Sequence, residues 1–161
     1  MALTPAQNAI LKADILADPV LNANINNEDG AYAIALVYNA PAAPAFTVWK
    51  TSVSISATGQ AFNGTELAGM TTANNTRLQT VAVYLAEGYN AGLIDVRQMF
   101  NDIWSGAGGT NTRVNLLALW KRLATRAEKL FASGAGSDAS PAVLTVEGYL
   151  SYQDVLNARN S

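Results

Sequence analysis

The chain has 161 residues, 10 of them basic and 12 acidic for a net charge of −2, and it contains neither histidine nor cysteine. Without those two residue types there are no disulfides, no thiolate catalysis, no zinc–thiolate site and not the commonest general base, and the negative balance speaks against a dedicated nucleic-acid binder. Charged residues make up only 14% of the chain against about 25% in an average protein, a depletion that suits a surface partly covered by other subunits.

Thr4-Pro5-Ala6-Gln7 reads as a helix start, with Thr as N-cap, Pro at the first helical position and Gln completing a capping box. That helix is expected to run to about Ala17, where Asp18-Pro19 stops it because a residue before proline is pushed out of the helical region. The opening lacks a basic start followed by an unbroken apolar run, so no signal peptide is expected, and no window approaches the roughly 18 apolar residues of a membrane span. After a polar loop from Asn22 to Asn27, a second helix is predicted from about Glu28 to Asn39 with Ile34, Val37 and Tyr38 inward. The prolines at 41 and 44 end it. Residues 46–53 alternate and are rich in aromatic and β-branched types, which predicts a short strand or arm with protein on both faces.

Thr58-Gly59 and Asn63-Gly64 read as turns. A helix from Thr71 or Thr72 to about Glu87 carries Leu78, Val81, Ala82 and Leu85, and another is capped by Asp95 with Gln98 at its third position. The glycine run 106–109 leads into the segment around which the remainder is organised. Val114, Leu117, Trp120, Ala124, Ala127 and Phe131 recur at steps of three and four, predicting one long central helix over about 112–133 with Thr112 as N-cap and Gly134 beyond its end. Five of the basic residues, Arg113, Lys121, Arg122, Arg126 and Lys129, lie in it, and Arg122, Arg126 and Lys129 would share a face beside the apolar stripe. Residues 142–149 read as a second short extended segment able to pair with 46–53, and Ser151 caps a short terminal helix with Asp154 at its third position. The expected fold is mainly α: a single domain over 1–161, with five or six helices around the central one and two short extended segments.

No motif here names a chemistry. The glycine run lacks the Lys-Ser/Thr that a phosphate loop requires, the carboxylates have no evident cleft, and Trp49, Trp104 and Trp120 are simplest as core anchors, each wanting a partner for its indole N–H. An enzyme, a cofactor, a metal and a small-molecule substrate are therefore not expected. The residues singled out for docking of a subunit or partner are Lys121, Arg122, Arg126 and Lys129, with the aromatics Trp49, Tyr149 and Tyr152.

The opening ALTPAQ, the stretch PAAPAFTVWKTSV (41–53) and the long run KRLATRAEKLFASGAGSDASPAVLTVEGYLSYQDV (121–155) resemble a family of small proteins from the virion-structure modules of tailed bacteriophages and prophages. The resemblance covers nearly the whole chain and transfers no catalytic residue. It implies a virion component assembled in the host cytoplasm. A mainly helical chain of this size, poor in charge, fits a head-to-tail connector or adaptor forming a homo-oligomeric ring beneath the portal, in contact with portal and tail proteins. Passing DNA would be contacted at most weakly, and no membrane is involved. The alternatives are a capsid-decoration or tail-associated protein and a cytoplasmic regulator of a host protein.

Overall fold

A computed structural model describes residues 3–161; Met1 and Ala2, part of the opening stretch, lie outside it. It is mainly helical with one small two-stranded sheet. In chain order the described elements begin with α1 (Pro5–Ala17), α2 (Pro19–Asn22), α3 (Glu28–Asn39), β1 (Thr47–Trp49), α4 (Ile55–Ala61), α5 (Gly64–Ala68) and α6 (Thr72–Tyr84). There follow α7 (Ile94–Ile103), a 3-10 turn (Ala107–Gly109), α8 (Thr110–Leu119), β2 (Lys121–Leu123), α9 (Arg126–Phe131) and α10 (Tyr152–Asn160). Packing gathers these into two units, Met1–Val48 with Leu123–Ser161 and Trp49–Arg122. The chain passes between units within β1 and β2, which pair with each other.

In the first unit, α10 packs against both α1 and α3. Leu11, Ile15, Ile34, Tyr38, Phe131 and Val155 fill the core, each large apolar side chain contributing about 1.5–3 kcal/mol by its burial. The capping boxes expected at Thr4 and Ser151 are both formed. Gly30 is obligatory for a spatial reason, since a Cβ there would lie 2.0 Å from the Ile25 carbonyl oxygen. Asn39 ties down the approach to α10 by donating to Leu150 O and accepting from Leu150 N, both at 2.9 Å.

The second unit is built on aromatic residues. Phe100 lies 5.5 Å from the ring of Tyr89 and 5.8 Å from that of Trp120, within a core that includes Val53, Val96 and Leu116. A polar chain runs through it: Trp120 Nε1 donates to the Tyr89 hydroxyl at 2.8 Å, which is 2.7 Å from Thr58 Oγ1, and that hydroxyl in turn donates to Ser54 O. Every link is satisfied, as a buried polar group requires. Trp104 breaks the pattern expected of indoles, because its Nε1 is buried with no hydrogen-bond partner among the described residues.

The long central helix does not form. Helix α8 ends at Leu119, 121–123 is extended as β2, and α9 starts at Arg126. The reason lies in Thr125-Arg126-Ala127-Glu128, itself a capping box: Thr125 Oγ1 accepts from Glu128 N at 3.2 Å and Glu128 Oε2 accepts from Thr125 N at 3.0 Å. The periodic stripe joined residues that serve different cores, Trp120 in the second unit and Ala127 and Phe131 in the first. Helix α8 buries Thr112 and Leu116 instead, as does its C-cap residue Trp120, leaving Val114 and Leu117 exposed. Thr112 is no N-cap but a buried helical residue whose hydroxyl accepts from Asn63 N.

Other boundaries shift for similar reasons. Strand β1 forms its sheet with β2, and the expected pairing of 46–53 with 142–149 is reduced to an isolated parallel bridge at Val48–Ala142, while Val143 bridges Ser133. Thr58-Gly59 lies inside α4, and Asn63 caps α5. Leu93, without a side-chain cap, precedes α7, so Asp95 falls in its first turn. Val37 of α3 is exposed, not inward.

Candidate interaction surfaces

Arg126, one of the residues singled out for docking, is held inside its own unit. Its Nη2 donates to Asp14 Oδ2 and Asp18 Oδ2, each at 3.1 Å, and its guanidinium carbon lies 4.8 Å from the centre of the Tyr38 ring. The Tyr38 hydroxyl donates to the same Asp14 oxygen at 2.5 Å. Burial, with Asp14 as the second cause, pushes the Tyr38 hydroxyl far above its ordinary pKa. Asp18 also caps α2 by accepting from Val20 N and Leu21 N, and the Leu21 bond and Arg126 hold its carboxyl below the usual value. The network joins α1, α3 and α9 through ions only partly shielded from water.

The other predicted residues are dispersed. Lys121 and Arg122 are half-buried in β2, so Arg122 shares no helical face with Arg126 and Lys129. Lys129 lies 5.7 Å over the Phe46 ring. Tyr149 and Tyr152 are exposed in the first unit, and Trp49, in the second, lies 4.0 Å beneath the Arg97 guanidinium.

Two surfaces that the periodicity did not single out are better formed. Helix α3 is apolar on both sides. Ala31, Ile34, Ala35 and Tyr38 are in the core, while Tyr32 is 59% and Leu36 55% exposed, with Val37 beside them. At the N-terminal end of this outer face stand Glu28 and Asp29 in the first turn; at its other end a recess of about 440 Å3 is lined by Val37, Ala40, Pro41, Lys129 and Leu130, with Asp14 and Arg126. The sequence did show the helix, and its lack of a polar side was the readable signal.

In the second unit a recess of about 390 Å3 is lined by Trp49, Arg97, Asn101, Arg113, Val114 and Leu117, among others. Arg97 donates to Ala91 O. Arg113 donates through Nη1 to Trp104 O and Gly106 O. Among the described residues no carboxylate lines this recess, and desolvation pulls the Arg97 pKa down.

The glycine run has a structural role. A Cβ on Gly109 would lie 2.1 Å from Trp104 O. The α8 start that it feeds is taken by an acid of the chain itself, Glu66, which accepts from Asn111 N and Thr112 N, both at 2.8 Å. Among the described residues no three acidic side chains gather as a metal site, and no helix is long and apolar enough to cross a membrane. Comparison with protein-family models, curated proteins and solved structures finds no match.

Proposed function

We propose that this chain is a structural protein of a tailed-phage virion, a head-to-tail connector subunit that assembles with copies of itself into a ring beneath the portal. The observation that carries the reading is the uncovered apolar side of α3. A helix apolar on both sides calls for cover on both, and Tyr32, Leu36 and Val37 stay exposed among the described residues. Large apolar side chains are also exposed in the second unit, among them Val83, Tyr84 and Ile94, so assembly would cover surface on each unit. The sequence resemblance over 41–53 and 121–155 supplies the kind of assembly, and the net charge of −2 suits a channel wall that does not retain DNA.

Mass spectrometry of purified, nuclease-treated particles tests this. The protein is expected at a fixed stoichiometry relative to the portal, and its presence in infected cells but absence from particles would refute the proposal. Cross-linking within the particle distinguishes the connector, linked to the portal, from a capsid-decoration or tail-associated protein, linked elsewhere.

A further inference from the structure

We propose that the acidic end of the α3 outer face docks into the Arg97–Arg113 recess of a second copy of this chain. The inference rests on the ring reading and names the two surfaces that meet in it. An arginine cannot shed its proton at any physiological pH, and here two guanidiniums line one recess with no acid among its described lining residues. Their bonds to the carbonyls of Ala91, Trp104 and Gly106 fix both side chains without neutralising either. Guanidiniums so positioned match the two oxygens of a carboxylate.

The chain carries the complement. Glu28 and Asp29 are exposed, and among the described residues neither makes an ion pair. They stand in the first turn of α3, where the helix dipole favours negative charge. Tyr32 and Leu36 follow Asp29 at i+3 and i+7 on the same helical face, the anchor spacing of a helix laid in a groove. Beside the arginines, Val114 is 63% exposed and Leu117 is also uncovered, so apolar side chains meet apolar side chains where charge meets charge. The two surfaces are different patches of one sequence, which makes the contact heterologous, the kind that closes into a ring by rotation.

The test uses the full chain and two exposed positions, so that folding is preserved and checked by melting. Asp29→Lys places a cation against the recess, and Val114→Glu places an acid against Asp29; each alone is expected to weaken self-association, read by sedimentation velocity, about tenfold or more. The combination sets the new lysine against an acid, although Arg97 and Arg113 stay in the recess, and is expected to recover part of the affinity that Asp29→Lys alone loses. Single variants that assemble like the wild type, or a combination that recovers nothing, would overturn the pairing while leaving the ring reading to the particle analysis. A wild-type chain that stays monomeric at its highest soluble concentration would overturn the pairing whatever that analysis gives.

Discussion

Replacing Arg126 separates an internal clamp from a docking residue. Hydrogen bonds to a charged partner contribute about 1.5–3 kcal/mol when shielded, but about a third of each side chain in the Arg126–Asp14 pair is exposed and Asp18 is little better covered. Screening reduces the Arg126–Asp14 pair to about 1 kcal/mol or less and leaves the Asp18 pair weaker still, and the stacking on Tyr38 adds about 0.5–1 kcal/mol. Arg126→Met keeps the aliphatic stem and removes all three interactions, so it should cost about 2 kcal/mol. In a chain of this length that lowers the melting temperature by about 4–8 °C. Arg126→Glu should cost about 4 kcal/mol, because attraction to two carboxylates becomes repulsion. Lys129→Glu, lacking such a network, should change stability by about 0.5 kcal/mol or less. Thermal and urea unfolding of the three variants measure this. A melting temperature for Arg126→Met within about 1 °C of the wild type would refute the clamp, showing both pairs to be fully screened.

Trp120→Ala should cost about 3–5 kcal/mol through lost burial and the cavity left behind, and it strands the Tyr89 hydroxyl with Thr58 alone; denaturant unfolding reads the loss, and a shift under about 1 kcal/mol would deny Trp120 its central place. Stability should also fall in acid. The Asp18 and Glu66 carboxyls sit below their ordinary values of 3.8 and 4.5, the first through its Leu21 and Arg126 bonds, the second because bonds from Thr112 and Asn111 outweigh an opposing desolvation. Groups depressed in the folded state stabilise fully above their unfolded pKa and lose that contribution as pH falls through the folded one. Urea midpoints from about pH 6 down to 3 should therefore drop, and Glu66→Gln should flatten the drop.

Where sequence reasoning succeeded, the signal was local. Capping boxes at Thr4 and Ser151, the Pro19 stop and the paired prolines after Asn39 act through neighbouring backbone groups, and α1, α3 and α10 lie where they predict. The central helix failed because its stripe was assembled across Trp120–Ala124, where the chain turns from one core to another. Side-chain spacing carries no record of which core a residue enters. The competing signal at Thr125 and Glu128 was equally local and outweighs periodicity, since a satisfied N-terminus sets where a helix begins. The candidate surfaces were legible only in part. The apolar outer side of α3 could be seen in YAIALVYN, whereas the Arg97–Arg113 recess brings together α7 and α8, which no short-range pattern relates.

The placement of charge strengthens the case for assembly beyond composition alone. A chain with 14% charged residues could still keep a monomer dispersed if all of them faced water. Here several do not. Arg126 is tied to Asp14 and Asp18. Glu66 caps α8. Glu128 and Asp154, both buried, close the capping boxes of α9 and α10. Arg97 and Arg113 hold backbone carbonyls. Each of these charges serves the internal architecture by satisfying a helix end or a loop, so the surface left over is poorer in charge than the composition implies, while Tyr32, Leu36, Val83, Tyr84, Ile94 and Val114 lie exposed on it. The association of such surfaces is limited by how well patches fit, not by charge repulsion. On that ground the two patches that combine apolar surface with opposite charge, the α3 face and the Arg97–Arg113 recess, have the strongest claim to meet first in the proposed assembly.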